Sequence, residues 1–386
     1  MPRGGERVIM GEDALDNEDL ATSIERGERR KTRLFAVIAG VLLAASFLFC
    51  LVVGRYTTGV AETFAAFAYG VVDTLIDVLE LPALIPGVAY EIPNPVPIIW
   101  DTTSYLVLWT IRLPRMLGVV FVGGGLAMAG ASYQGVFRNP LVSESILGVT
   151  AGAAFGAGLG FFFYGGQYLV MALAFVGAML AVAATYFSSR AFNGNPTLLL
   201  VLAGTVVGSL FSAGLTVLQY LIGSEDARLG DIVFWLMGSF SKVGGAEVAY
   251  LVVGIAACAL VLNAQRWKLN VLSLGDEEAK ALGVDTTKTR LVIILAATLL
   301  TAIAVSVCGT IGWVGLVVPQ MVRMLIGPDN RRLIPLCFFF GGTFMLIIDC
   351  ICRSLISSEI PIGVATAIIG APLFLVILRR LNRGWA

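Results

Sequence analysis

An all-α, polytopic membrane protein with about ten transmembrane helices is the fold this sequence predicts, on three observations. Of its 386 residues, 58% are hydrophobic and 13% charged, with a mean hydropathy of +0.88; soluble domains carry about 25% charged residues. Apolar runs of about twenty residues, the length that crosses roughly 30 Å of hydrocarbon at about 1.5 Å per residue, recur along the chain. Lys and Arg are shared unevenly between alternate loops. The net charge is zero, so no basic field points to nucleic acid.

The runs place spans near 34–54, 113–135, 146–164, 168–189, 197–222, 244–264, 291–308, 311–326, 333–352 and 361–378. The shorter ones are expected to be half-buried or broken helices, which a bilayer tolerates where protein or a cavity covers them. With the N-terminus inside, twenty Lys and Arg fall on the cytoplasmic side and six, namely Arg55, Arg112, Arg115, Arg228, Lys242 and Arg353, on the other. Short cytoplasmic loops hold the basic excess, so ten spans with both termini in the cytoplasm are expected.

In chain order, residues 1–33 mix seven basic with eight acidic side chains without apolar periodicity, which predicts a solvated, charged, partly disordered tail rather than a signal peptide. Residues 34–54 form the first span. Residues 55–110 are expected to be an extracytoplasmic insertion. Its first part, 60–81, is mostly apolar, but Asp73, Asp77 and Glu80 share one helical stripe, and each costs about 2.5–3.5 kcal/mol at a bilayer centre. An amphipathic interfacial helix fits better than a span. The Pro-rich stretch that follows favours extended chain. Residues 111–386 make up the core of spans, interrupted at 265–290 by a charged connector.

That connector contains "GDEEAKAL", about eight residues or roughly 12 Å, too short to cross anything. Acids occupy its first turn, Lys280 follows, and Gly283 is placed to end it, as helix termini favour. On the residues alone it is either a solvated link or a contact surface for a partner. All six cysteines lie in or at the ends of apolar spans and read as small buried hydrophobes. The chain has no His and no G-x-x-x-x-G-K-[ST], which removes imidazole chemistry, most zinc sites and a P-loop of its own. No metal site and no catalytic residue are expected.

"LGDEEAKALGVDTTKTR" (274–290) resembles the coupling segment of FecCD-type permeases, the ABC importer subunits for iron-siderophore, haem and cobalamin uptake. In family order it is joined by "IRLPRMLGVVFVGGGLAMAGASYQGVFRNPLVSESILGV" (111–149), "FWLMGSFS" (234–241), "GTIGWVGLVVPQMVRMLIGPDNRRLIP" (309–335) and "EIPIGVATAIIGAPLFLVILRR" (359–380). The resemblance implies a type II ABC importer permease fold in a bacterial or archaeal inner membrane. It also implies a homodimer that works with two cytoplasmic ATPase subunits, which hold ATP and Mg, and with an extracytoplasmic binding protein. The chain itself would then be no enzyme and carry no cofactor. The expected cargo is a ferric siderophore or similar bulky metal chelate, with cobalamin or haem as alternatives.

By the same resemblance, Gly275, Asp276, Glu277, Glu278, Ala279, Leu282 and Gly283 match the segment that fits a cleft of the ATPase. Arg112, Arg115 and Arg353 match arginines that face glutamates of the binding protein; read without it, Arg112 and Arg115 are interfacial anchors and Arg353 an i,i+4 partner of Asp349. Asn195 and Thr197, at the start of the fifth span, are expected to line the pathway. Many relatives carry His where this chain has Gln320. An ion-coupled secondary transporter would instead need ionisable residues within the bundle, and Asp349 and Glu359, the nearest candidates, lie near span ends.

Overall fold

The computed structural model describes residues 6–54, 56, 58–80, 93–143, 145–194, 196–355 and 358–383. Eight helices in it are long and apolar enough to span a membrane, and two shorter apolar ones, α5 (Val149–Phe162) and α12 (Val314–Ile326), bring the set to the ten expected. The first helix, α1, runs Glu6–Val52 without a break. The expected irregular tail is therefore helical from Glu6 and continuous with the first span; no proline interrupts residues 6–52, and charged residues such as Glu and Arg are themselves good helix formers.

The insertion carries α2 (Val60–Glu80), the amphipathic helix expected there. The second span, however, begins well before residue 113. A short α3 (Thr102–Leu106), capped by Asp101, passes through a π-turn at Val107–Arg112 into α4 (Leu113–Phe137). Pro114 has no N–H to give and its ring crowds the carbonyl four residues back, and just before it the Leu113 N–H reaches back five residues to Leu108 O. This end of the rod is clad by α2. Trp109 Nε1 donates to Ala66 O at 3.1 Å, Asn94 Nδ2 donates to Tyr69 O at 2.9 Å, and Tyr69, Trp100 and Tyr105 meet edge-on or stacked. Such aromatic clusters suit a membrane–water boundary.

α4 is the central strut, buried along nearly its whole length. Around it pack α9 (Gly245–Leu274), α11 (Thr286–Cys308), α12 and α13 (Asn330–Ser354). Small residues permit this: a Cβ at Gly123 would run into Gly341 O and Met345, and one at Gly130 would overlap the carbonyl of Gly315. In lipid, where apolar surface gives helices little reason to associate, such close backbone contact holds a bundle together. A second group, α5, α6 (Gln167–Arg190) and α7 (Pro196–Ile222), interlocks in the same way, Gly152 against Gly177. α1, α7 and α14 (Ile362–Arg383) stay largely exposed at the rim.

Three irregular segments meet inside the bundle, after α8 (Ala227–Leu236), between α11 and α12, and before α14. They satisfy one another: Ser239 N–H donates to Cys308 O at 2.8 Å, and Ile362 and Gly363 N–H to Gly238 and Met237 O at 3.0 Å. Gly238 and Gly309 take φ near +70°, which a side chain would resist, and a Cβ on Gly309 would strike Trp235 O. This is how non-helical backbone survives at membrane depth.

Candidate functional site

The charged connector is a helix, α10 (Asp276–Ala281), held between α9 and α11. It is shorter than the expected segment 265–290, because α9 continues to Leu274 and α11 already begins at Thr286. Gly275 turns the chain with φ 143°, and Gly283 ends the helix with φ 77°. At that end Val284 N–H reaches Ala279 O at 3.0 Å while Gly283 N–H reaches Lys280 O at 2.9 Å, the two bonds of a Schellman stop, with buried Val284 against buried Ala279.

Asp276 ties this helix to the bundle. Arg138, in a left-handed conformation just past α4, donates Nη2 to Asp276 Oδ1 at 2.6 Å, and Arg290 of α11 donates Nη1 to Oδ2 at 2.9 Å. The Arg290 hydrogen bonds, with the charges of Arg290 and Arg138, hold the Asp276 carboxyl below its ordinary range. The other face of α10 points away from the bundle: Glu277 is 90% exposed, Lys280 61% and Leu282 57%. The helix is thus rigidly seated on one side and open, charged and apolar in alternation, on the other. Of the expected residues, Asp276 and Ala279 are inward anchors, Gly275 and Gly283 shape the turns, and Glu277 and Leu282 face out.

At the far end of α4 the three outer arginines are brought together, but pointing inward. Arg115 donates Nε and Nη2 to Asp349 Oδ1 at 3.0 and 2.9 Å and Nη1 to Glu359 Oε1 at 2.8 Å. Arg353 pairs with Asp349 Oδ2 at 3.6 Å and donates to Cys50 O. Arg112 donates to Leu51 O at 2.9 Å and to Tyr56 O, closing the last turn of α1. Arg112 and Arg353 are 6% and 7% exposed. Within the chain the guanidiniums are engaged by carboxylates and by carbonyls at the end of α1, which have no intrahelical donor. The i,i+4 pairing of Arg353 with Asp349 is present.

A groove of about 590 Å³ opens beside the converging loops, lined by Ser143, Ser145, Thr150, Ser212, Thr310 and Trp313 among others. None of its described lining residues is ionisable. Trp313 stands at the start of α12 with φ 73°, a conformation rare for a bulky residue, and packs on Gly370 of α14. Sequence reasoning did not single it out; a tryptophan between Gly312 and Gly315 gives no signal of its own. Thr197 is half-buried at the start of α7 and is not among the groove's lining, and Asn195 lies outside the described residues. Gln320 is buried, donating to Gln134 Oε1 and Pro140 O at 3.1 and 2.8 Å and accepting from Arg323. It braces the α4–α5 turn from α12.

A model of the FecCD transport family matches residues 41–380. The chain belongs to the FecCD transport family. Among its relatives, the molybdate import system permease MolB of Haemophilus influenzae is 42% identical over 74% of this chain and 84% of that one. The cobalamin import system permease BtuC of Halobacterium salinarum is 38% identical over 78% and 80%, and the hemin transport permease HmuU of Yersinia pestis 37% over 73% and 87%. A solved structure described as an inward-facing conformation of a metal-chelate type ABC transporter superposes with a TM-score of 0.75 at 35% identity, covering 90% of this chain and 99% of that one. This FecCD protein is accordingly a polytopic ABC importer permease that works in a membrane with ATPase partners.

Proposed function

We propose that this permease acts as a homodimer, carrying a ferric siderophore or similar bulky metal chelate inward across the cytoplasmic membrane. An extracytoplasmic binding protein would deliver the chelate, and two ATPase subunits that hold ATP and Mg would drive transport. The carrying observation is α10: a short helix anchored through Asp276 to α4 and α11, with Glu277, Lys280 and Leu282 standing out into space. A partner that grips the exposed face pushes on two spans at once. The Lys and Arg bias supports an orientation with this end, and both termini, in the cytoplasm. The exposed apolar ridge Leu202, Val206 and Leu210 along α7 suits lipid or a second copy.

For the cargo, the groove's hydroxyls and indole offer hydrogen bonds without a countercharge. That chemistry suits a chelate whose metal is already neutralised by its own ligands. Molybdate is a second reading, favoured by the 42% identity to a molybdate permease; cobalamin and haem have relatives at 37–38%. The test is ATP-driven uptake in vesicles that hold the permease with its ATPase and binding protein, offered ferric siderophores, haem, cobalamin and molybdate in turn. Uptake of a siderophore that is lost in Glu277→Lys/Glu278→Lys is expected. Uptake of molybdate alone would overturn the cargo, and uptake that follows an ion gradient without ATP would overturn the mechanism.

A further inference from the structure

Two buried cysteines that neither the coupling helix nor the groove uses lie on packed helices beside the arginine cluster. Cys50 lies two residues before the end of α1, and Cys350 four residues before the end of α13. Both are buried. The Cys50 thiol donates to Leu346 O at 3.6 Å, the carbonyl one helical turn before Cys350. The backbone carbonyl of Cys50 accepts from Arg353, which follows Cys350 on the same helix. Cys50 is thus held against one short stretch of α13 by side chain and main chain together, and Cys350 lies between its two partners on the same stripe of that helix, Leu346, Cys350 and Arg353 being four and three residues apart. Cys352, two positions on, points to another side of the helix.

We propose that Cys50 and Cys350 form a disulfide that staples the first span to the ninth. The oxidant is a small or protein-borne disulfide. The thiolate of one cysteine attacks it and releases one thiol; the second cysteine then attacks the mixed disulfide and releases the other. Two cysteine thiols lose two protons and two electrons, and the oxidant disulfide becomes two thiols. The inference rests on the orientation given above, which sets this end outside the cytoplasm, where disulfides persist. The staple has a purpose there, since α1 is weakly buried and its outer end is otherwise secured by the Arg112 and Arg353 hydrogen bonds to carbonyls.

The experiment uses the full chain in membrane vesicles, exposed to the membrane-permeant oxidant diamide, which takes up the two hydrogens itself. Free thiols are then alkylated and the digest read by mass spectrometry. Alkylation should fall from six cysteines to four, with a Cys50–Cys350 peptide pair that disappears on reduction and survives in Cys352→Ser. Six alkylated cysteines after oxidation, or a link from Cys50 to Cys352, would overturn the proposal. Both readouts are independent of transport, so a wrong cargo or mechanism leaves the result interpretable.

Discussion

Replacing Arg115 by Met separates the two roles open to the outer arginines. Asp349 is fully buried and takes two hydrogen bonds from Arg115 on one oxygen; its other oxygen has Arg353 at 3.6 Å, an ion-pair distance without a hydrogen bond. Met keeps the length and apolar stem but leaves the carboxylate without its main partner, and breaking a buried pair in this way costs about 3–5 kcal/mol. For 386 residues, a specific unfolding entropy of about 2.1 cal/mol/K per residue gives roughly 0.8 kcal/mol/K, so the midpoint should fall by about 4–6 °C. The double variant Arg115→Met/Asp349→Leu removes both charges and should recover most of that loss, as replacing both partners of a buried pair is often neutral. The assay is thermal loss of monodisperse protein in detergent, followed by size exclusion. A change within about 1 °C in the single variant, the size expected of a solvated charge, would refute the buried lock and return Arg115 to a free docking residue.

Two further outcomes follow from the same geometry. Because Arg290 and Arg138 depress the Asp276 carboxyl, its contribution to stability is present above the unfolded value of about 3.9 and is lost as pH falls through the lower folded value. The gap in thermal midpoint between the native chain and Asp276→Asn should therefore be open at pH 7 and narrow at pH 3; a constant gap would show that the charge pairs contribute nothing. Gly130→Ala should abolish monodisperse protein or displace α12, since the new methyl collides with the backbone of Gly315, whereas Gly312→Ala, with open space around it, should behave as the native chain does.

The spans were legible because each is a long apolar run, and α10 because acids, a lysine and a glycine fall in helix order within eight residues. The start of the second span was not: Arg112 and Pro114 interrupt the run, and the π-turn that absorbs Pro114 leaves no mark in composition. Nor was helicity visible in residues 6–33, where no apolar stripe exists to betray it. Partnerships were the least legible. Asp276 and Arg138 are 138 residues apart, and Arg112 and Arg353 bond to main-chain carbonyls, which every residue carries. The family resemblance supplies a docking role for those arginines, and their partners within the chain are visible only in the fold.

The helix α4 is fastened near both of its ends and pinched between them. Arg115 grips Asp349 and Glu359 at one tip, and Arg138 grips Asp276 at the other, about 35 Å away at 1.5 Å per residue. Between them the glycines at 123 and 130 press on the backbones of α13 and α12. A stiff rod pinned near its middle behaves as a seesaw: a tug on α10 that tilts α4 must swing the Arg115 tip the opposite way. One helix then gives the two ends of the bundle a mechanical reason to move out of phase.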